Sequence, residues 1–322
     1  MNDGRKMPLF KGIDSLDTIQ IVLVVTLAIL ITNYIYMKWA MRSVRHSTLD
    51  NIEAFANPDD SDTVILGNEH LYDEFYAKIY DTIVDGATRQ DYETSLTLGW
   101  AKGFRPEVNT IEVLDIGCST GGDIAQFRKA GVGKAVGLDA SDAMVNAARV
   151  AVPKGDFRVG EAEQIGLFAA GEFNLITMYY FTFYYLRDRD QVFKNMFHWL
   201  QPGGCLVLHL VNRDKFDPIL EAASPFVAFS VQKYAKERVT RSKVTFDKFD
   251  YEADFTLEGD HAEFREEFKF KNGKQRRQVH SLRMPTMEAV VSEAEANGFV
   301  FKQFLDMTTI GYEYQYLFCF VR

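Results

Sequence analysis

Cysteine is scarce in this chain, which has Cys118, Cys205 and Cys319 among its 322 residues. An odd number of widely separated cysteines does not build a disulfide framework, and their spacing matches no zinc motif. Each cysteine stands in an apolar or glycine-rich stretch. The pattern therefore predicts reduced, buried thiols in a domain that faces the cytosol, and it predicts no metal site.

Basic charge is also in short supply. The 36 Lys and Arg residues face 45 Asp and Glu residues, so the formal net charge is -9. An acidic protein repels polyanions, which excludes nucleic acid as a general partner. Apolar residues make up 47% of the chain and charged residues 25%, which is ordinary for a globular protein and excludes general disorder.

One long uncharged run is present, from Thr18 to Met37, and aromatic and basic side chains follow it. About 20 apolar residues in a helix span the hydrocarbon core of a bilayer, and aromatic rings prefer its interface. The run therefore predicts one membrane crossing. The alternatives are a buried soluble helix and a cleaved signal peptide, although the apolar part of a signal peptide is usually shorter and ends in small residues.

The chain turns polar and acidic after this run, from Ser47 to about Gly67. Such composition is typical of a loop or a short stalk. We therefore expect a membrane anchor in residues 1–46, a linker in residues 47–67 and one large domain in residues 68–322. Basic residues flank the apolar run in equal number on both sides, so the charge rule does not fix its orientation.

Short apolar runs alternate with amphipathic stretches from about Ile111 onward, which indicates an α/β fold with a mostly parallel sheet. The first strand is predicted at Ile111 to Ile116 and the second at Ala135 to Leu138. A glycine-rich turn lies between the first strand and a helix, and Asp139 ends the second strand. Ligands of such sheets bind at the carboxyl ends of the strands, where glycine lets the backbone come close. Ser141 is the expected N-cap of the next helix.

Four motifs resemble those of class I methyltransferases that use S-adenosylmethionine (SAM). They are Val113-Leu114-Asp115-Ile116-Gly117-Cys118, Val136-Gly137-Leu138-Asp139-Ala140-Ser141 with Met144, Gly160-Glu161-Ala162-Glu163 and Leu200-Gln201-Pro202-Gly203-Gly204-Cys205-Leu206. The resemblance runs from about Tyr72 to the end of the chain. It implies a Rossmann-like, seven-stranded, mostly parallel sheet, SAM as the cofactor and methyl transfer as the activity. Because SAM is a cytosolic compound, it also implies that a single-pass protein exposes this domain to the cytosol.

The same resemblance implies which residues bind SAM: Asp115, Gly117, Cys118, Ser119, Gly121, Asp139, Ala140, Met144, Glu161 and Ala162. In the family, the acid after the second strand holds the ribose and the third motif faces the adenine. Two positions depart from the family. Ser119 replaces a common glycine, and we expect it still to present a backbone amide to the ligand. Asn174 replaces a common acid, and a neutral capping role is at least as good an explanation as a loss of function.

Aromatic side chains dominate the predicted acceptor side. Six of the seven residues from Tyr179 to Tyr185 are aromatic, and in the family this strand end lies beside the transferred methyl group, so Tyr179 and Tyr180 are the catalytic candidates. Upstream, Tyr72, Tyr76 and Tyr80 share one helical face. Such a stripe is usually packing, but Tyr76 and Tyr80 are also candidates for acceptor contacts.

Residues 213–285 form an insertion between the fifth strand and the last helix, with the strand patterns Val244 to Tyr251 and Ala262 to Phe270. Asn272-Gly273 is a strong hairpin signal. We expect an antiparallel lid over the acceptor, with Phe249 and Tyr251 facing inward. The alternative is a sheet that builds a homodimer.

Three functions stay open at this point: methylation of a small-molecule amine or hydroxyl, methylation of a lipid or quinone headgroup at the membrane, and a catalytically silent scaffold. The sulfonium methyl is already activated, so a dedicated base is optional. An acceptor hydroxyl would need His209, His280 or a tyrosine to take its proton. Of these, His209 stands in an apolar strand, which favours a core role.

Overall fold

The computed structural model describes residues 20–32, 62–84, 87–218 and 237–322. The chain divides into two compact units, Met1–Asp50 and Asn51–Arg322. In the first unit, residues 20–32 form helix α1, whose large apolar side chains are exposed, from 40% for Ile21 to 63% for Leu23.

None of the described helices combines the length and the apolar character that a membrane crossing needs. The predicted span from Thr18 to Met37 coincides with α1 only at residues 20–32, and its other residues lie outside the described ranges, as do residues 47–61 of the predicted linker. The membrane anchor therefore gains no support from the described residues and stays a prediction.

Twelve strands lie in the described part of the second unit. They are β1 (Asp62–Leu66), β2 (Glu112–Ile116), β3 (Lys134–Asp139), β4 (Asp156–Val159), β5 (Phe173–Met178), β6 (Leu200–Val211), β7 (Arg241–Thr245), β8 (Phe249–Glu258), β9 (His261–Phe270), β10 (Gln275–Arg283), β11 (Val300–Asp306) and β12 (Gln315–Val321). The α-helices are α2 (Glu74–Val84), α3 (Ala87–Ala101), α4 (Gly122–Lys129), α5 (Asp142–Ala151), α6 (Thr182–Tyr185), α7 (Arg189–Trp199) and α8 (Met287–Ala296).

The main sheet has seven strands in the order β11-β12-β6-β5-β2-β3-β4. Strand β12 runs antiparallel to both of its neighbours, and the other described pairs, from β6 to β4, are parallel. The predicted seven-stranded, mostly parallel sheet is therefore confirmed. Apolar side chains cover both of its faces, with Phe127 of α4 in one buried cluster and Phe193 of α7 in the other.

Local hydrogen bonds explain several element boundaries. The Ser141 hydroxyl accepts from the Met144 amide at 3.1 Å and caps α5, as its sequence position predicts. The buried Asn174 accepts from the Glu112 amide and donates to the Thr110 carbonyl, both at 2.9 Å. Asn174 thus ties the start of β5 to the start of β2, far from the carboxyl ends of the strands, which fits the structural interpretation of this departure from the family.

A second sheet has five strands in the order β1-β10-β9-β8-β7. Four of them come from the insertion at 213–285 and are antiparallel, and the hairpin between β9 and β10 contains Gly273 at φ 87°. Two expectations were wrong. The stretch from Val244 to Tyr251 is not one strand, because the Phe246 amide donates back to the Phe249 carbonyl in a turn. Residues 62–66 are not linker, because they form β1, parallel to β10.

Helix α2 lies against the second sheet through a shared acid. Asp73 accepts from the Tyr76 amide at 3.0 Å, which caps the first turn of the helix. The Asp73 carboxylate also accepts from both terminal nitrogens of Arg276 in β10, at 2.8 and 3.1 Å. Because Arg276 is buried and also stacks on Phe75 at 4.5 Å, this contact fixes the helix on the sheet.

Candidate active site

A cavity of about 420 Å³ lies where β2, β3 and β5 end, and α2 and the second sheet complete its wall. The predicted site residues that line it are Tyr76, Tyr80, Gly117, Ser119, Asp139, Ala140, Glu161, Ala162, Tyr179 and Tyr180. Six predicted residues do not line it: Asp115, Cys118, Gly121, Met144, Phe249 and Tyr251. The motif turns and the tyrosines are thus brought together around one space.

The turn after β2 brings the backbone close to the cavity. Gly117 has a φ of 75°, and a Cβ atom there would stand 2.4 Å from the Thr182 side chain, so a larger residue does not fit. Ser119 also adopts a left-handed conformation, with a φ of 53°. Non-glycine residues in this region are uncommon and are enriched at functional sites.

Asp139 fixes this turn to the end of β3. One carboxylate oxygen accepts from the Ser119 amide and the other from the Ser141 amide, each at 2.9 Å. The expectation that the Ser119 amide faces a ligand is therefore wrong, because that amide faces Asp139. Burial raises the pKa of Asp139, and the two amide hydrogen bonds oppose this rise. Each oxygen keeps a lone pair with which it can accept a ligand hydroxyl.

A cluster of buried charges lies beneath the other end of the turn. Asp115 accepts from the Thr177 hydroxyl at 2.8 Å through one oxygen, and its second oxygen has no hydrogen-bond partner among the described residues. The same is true of one oxygen of Asp123, which lines the cavity. Burial and the neighbouring Asp123 raise the pKa of Asp115 well above its usual range. Burial and Glu93 raise the pKa of Asp123 to about 7.

A buried arginine and a buried histidine lie beside these carboxylates. Arg89 donates to Glu93 at 2.5 Å, and its guanidinium lies 4.3 Å from the ring centroid of Tyr180. His209 is fully buried, with Nδ1 at 2.6 Å from Glu93 and Nε2 at 2.9 Å from Gln315. Since both of its nitrogens are occupied within the core, His209 is not placed to accept a proton in the cavity.

The orphaned oxygen of Asp123 in the cavity wall fits a ligand ammonium group, because an unpaired buried carboxylate is costly and a cation would compensate it. The free lone pairs of Asp139, one on each oxygen, fit two vicinal hydroxyls. The cavity thus matches the amino group and the ribose of SAM on the chemistry of its donors and acceptors.

The side of the cavity that was predicted to hold the adenine differs in part from that prediction. Both oxygens of Glu161 accept from Arg187 at 2.6 Å, at the exposed rim of the cavity. Met144 is buried, and Cys118 is buried against β3, where a Cβ atom on Gly137 would come within 2.7 Å of its Sγ. Met144 and Cys118 therefore shape the cavity from behind rather than line it.

Tyrosines form most of the opposite wall. The rings of Tyr72 and Tyr76 are 5.4 Å apart and those of Tyr76 and Tyr80 are 6.1 Å apart, so the predicted stripe exists and faces the cavity. Tyr179 donates to the Thr97 hydroxyl at 2.8 Å, and burial raises its pKa well above the usual value. Tyr180 has a left-handed φ of 51° at the end of β5. Tyr179 is therefore not arranged as a proton acceptor.

The second sheet contributes residues beyond the motifs, and the sequence had indicated only His280 among them, as a possible proton acceptor. Phe255, Phe264, Glu266, His280 and Leu282 line the cavity. Phe249 and Tyr251 do not, because the part of the sheet that contains them packs against α2, where Phe268 lies 5.3 Å from Phe75 and 5.6 Å from Phe249. The inward face was predicted correctly, but the position along the strands was wrong.

Glu266 is the least expected member of this wall. It stands between Phe264 and Phe268 on the buried face of β9, where a carboxylate needs partners. Burial raises its pKa, but the neighbouring His280 and hydrogen bonds from His280, Tyr251 and Gln278 outweigh burial and lower it. The sequence signal that could have identified Glu266 is an acid on a strand face whose other side chains are apolar and mostly aromatic.

Comparison with known proteins finds one family that matches the residues of this site. Residues 113–204, which contain the glycine turn, Asp139, Glu161 and the end of β5, match the family described as "Methyltransferase domain". No curated protein sequence matches the chain.

Several solved structures share the fold. CalS10, an amino pentose methyltransferase from Micromonospora echinaspora solved with SAM bound, is 20% identical, with a TM-score of 0.54 over 72% of this chain and 91% of that one. The CcbJ methyltransferase from Streptomyces caelestis is 14% identical, with a TM-score of 0.58 over 79% and 98%. The sugar N-methyltransferase KedS8 from Streptoalloteichus sp ATCC 53650 is 19% identical, with a TM-score of 0.53 over 71% and 86%.

Proposed function

Because the chain is a SAM-dependent methyltransferase, we propose that it methylates an amine or hydroxyl group of a small molecule held in the cavity under the second sheet. SAM supplies an activated methyl group. The protein has to align the acceptor with this methyl group and exclude water. One observation carries the proposal: the glycine turn, Asp139, the tyrosine wall and the second sheet all line one continuous space.

For the cofactor, we propose that Asp139 accepts from the ribose hydroxyls and that Asp123 compensates the ammonium group, with Asp115 outside the cavity wall. The supporting observations are the free lone pairs of Asp139 and the unpartnered oxygen of Asp123. Gly117 would face the methionyl part. Ala140, Glu161 and Ala162 would surround the adenine, in accord with their place in the cavity wall.

For the acceptor, we propose that the second sheet acts as a lid whose cavity-facing end selects the compound. Tyr76 and Tyr80 supply aromatic faces that attract a cation, which favours an amine over a hydroxyl. Two proteins of the same fold act on sugar amines by their names, an amino pentose methyltransferase and a sugar N-methyltransferase. Tyr179 and Tyr180, at the end of β5, would lie beside the reacting atoms.

A second candidate is a lipid or quinone headgroup at a membrane surface. Helix α1 favours it, because a helix with exposed, large apolar side chains from Ile21 to Ile31 is stabilised by a bilayer. In this proposal, residues 18–37 cross the membrane once and the catalytic domain faces the cytosol.

One experiment separates the two candidates. The purified full chain is incubated with methyl-labelled SAM and, separately, with a lipid extract and with an aqueous small-molecule extract. Label in the aqueous fraction supports the first candidate, and label in the lipid fraction supports the second. The variant Asp139→Ala provides the background. If the wild-type chain transfers no more label than this variant to either extract, the proposed function is wrong.

A further inference from the structure

We propose that Tyr185, His280 and Glu266 form a proton relay that accepts the proton which the acceptor group must lose on methylation. All three side chains line the cavity, and they come from α6, β10 and β9. The inference rests on the proposed function, and it identifies the groups that turn a protonated acceptor into a nucleophile.

Glu266 is held as a carboxylate at the end of the relay. One of its oxygens accepts from Tyr76 at 3.1 Å and from Tyr251 at 2.7 Å. The other oxygen lies 2.6 Å from Gln278 Nε2 and 2.6 Å from His280 Nε2. Four donors around one buried carboxylate stabilise its charged form, and they leave it little capacity to bind a substrate directly.

The partners of His280 determine its tautomer. Because Nε2 faces a carboxylate, which can only accept, this nitrogen carries the hydrogen. Nδ1 is then an acceptor, and it lies 2.7 Å from the Tyr185 hydroxyl. In the neutral imidazole from which the relay starts, Tyr185 therefore donates to Nδ1. Burial raises the pKa of Tyr185 well above its usual value, so this hydroxyl stays protonated. It can pass a proton on by receiving one from the acceptor and donating its own to His280.

The rings and the amide nearest to the imidazole are neutral. The rings of Tyr72, Tyr76 and Phe264 lie 6.0, 5.8 and 5.7 Å from it, and burial raises the pKa of both tyrosines, which therefore stay neutral. Gln278 Nε2 is 3.4 Å away and neutral. Arg276, two residues before Gln278, is bound to Asp73 and Gln278. Among the described residues, the acid that pairs with His280 is Glu266, and its negative charge would stabilise an imidazolium.

The relay gives a balanced reaction. A protonated amine passes one proton through the Tyr185 hydroxyl to Nδ1 of His280, which becomes an imidazolium beside Glu266. The nitrogen lone pair then forms the new N–C bond as the C–S bond breaks, and the electron pair of that bond stays on sulfur. The products are a methylated ammonium and neutral S-adenosylhomocysteine, and His280 returns its proton to solvent. A hydroxyl acceptor would lose its proton along the same path.

A purely structural role is the competing explanation, since Glu266 also joins α2 to the second sheet through Tyr76. The two explanations differ in their dependence on pH. Loss of a structural contact lowers stability and SAM affinity at every pH, whereas loss of a proton acceptor removes one ionisation from the pH–rate profile.

The test uses the full chain and whichever extract gains label from methyl-labelled SAM. Rates are measured from pH 6 to pH 9 for wild type, His280→Gln, Glu266→Gln and Tyr185→Phe. Tyr184→Phe is the matched control, because the neighbouring Tyr184 is buried, accepts from the Val211 amide and does not line the cavity.

We expect His280→Gln to lower kcat by about a hundredfold or more near neutral pH, which is the usual contribution of a general base. The rising limb of the wild-type profile should be absent from this variant, and SAM affinity should stay within about twofold. Glu266→Gln should move the limb, and Tyr184→Phe should change neither rate nor profile. If His280→Gln keeps the wild-type limb, or loses rate only in proportion to SAM affinity, the relay is refuted. A wild-type chain that labels neither extract refutes instead the function on which the relay rests.

Discussion

Replacing Asp139 by alanine should weaken SAM binding selectively. The Asp139 carboxylate is held by the Ser119 and Ser141 amides, at 2.9 Å each, with its free lone pairs in the cavity. The two ribose hydroxyls of SAM would each form a charge-assisted hydrogen bond to it. Asp139→Ala removes both bonds and keeps the rest of the cavity wall.

The expected size of the effect follows from these two bonds. A hydrogen bond to a charged group contributes about 1.5 to 3 kcal/mol. Water can enter the space left by the side chain and hydrate the hydroxyls, so we expect the lower end for both bonds together, about 3 kcal/mol. This corresponds to a loss of roughly 150-fold in affinity at 1.4 kcal/mol per tenfold.

Isothermal titration calorimetry with SAM measures this loss, and thermal unfolding of the ligand-free variant reports the effect on the turn. The neighbouring Asp142→Ala is the control, because Asp142 is exposed in the first turn of α5 and does not line the cavity. A SAM affinity of Asp139→Ala within threefold of wild type would refute the assignment. So would an equal loss in Asp142→Ala.

The further predictions concern Asp123, the lid and the amino-terminal segment. With a pKa of about 7, the ionised fraction of Asp123 rises about fivefold from pH 6 to pH 7, so SAM affinity should rise in proportion and Asp123→Asn should show no such rise in calorimetry. The same raised pKa means that the folded chain holds a proton that the unfolded chain releases above about pH 4, so the stability of ligand-free wild type should fall from pH 4 to pH 7 more than that of Asp123→Asn in urea unfolding. Phe264→Ala should raise the acceptor KM about tenfold while SAM affinity stays within threefold. Phe249→Ala should instead lower the free energy of unfolding by about 3 to 5 kcal/mol, because its side chain is fully buried outside the cavity. Carbonate extraction should leave the full chain in the membrane pellet and a chain starting at Ser47 in the supernatant, and a full chain that washes off contradicts the anchor.

Elements with local determinants could be predicted from the sequence. The strand before Gly117, the strand before Asp139 and the helix capped by Ser141 each depend on residues within a few positions, and all lie close to where the pattern places them. The motif turn also follows from local chemistry, since Gly117 meets Thr182 too closely to accept a side chain. These features define one wall of the site.

Elements with distant partners could not be predicted. The five residues of β1 have an ordinary composition, and their partner β10 is more than two hundred positions further along the chain. The turn between β7 and β8 lacks glycine, proline and asparagine, so the break there shows only as a one-residue shift in the apolar alternation, from Val244 and Phe246 to Phe249 and Tyr251. The pairing of β1 leaves no periodic signal.

The acceptor side of the cavity could be predicted only in part. Alternation along β8 places Phe249, Tyr251 and Phe255 on one face, as observed, but it does not say which part of the face reaches the cavity. Only Phe255 does, because the other two pack on the α2 side. Glu266 and His280 become neighbours through the register of β9 and β10. Their contact could not be predicted before that register was known.

The pairing of β1 with β10 also has a consequence for any shortened version of this protein. With β1 in place, the outer side of β10 from Gln275 to Val279 has a hydrogen-bonding neighbour. A chain trimmed beyond Leu66 would leave β10 as an open strand edge, with amide and carbonyl groups available to another molecule. Edges of this kind lead to intermolecular sheet pairing and aggregation. A truncation aimed at removing the apolar run therefore has a safe limit, and that limit lies before Asp62.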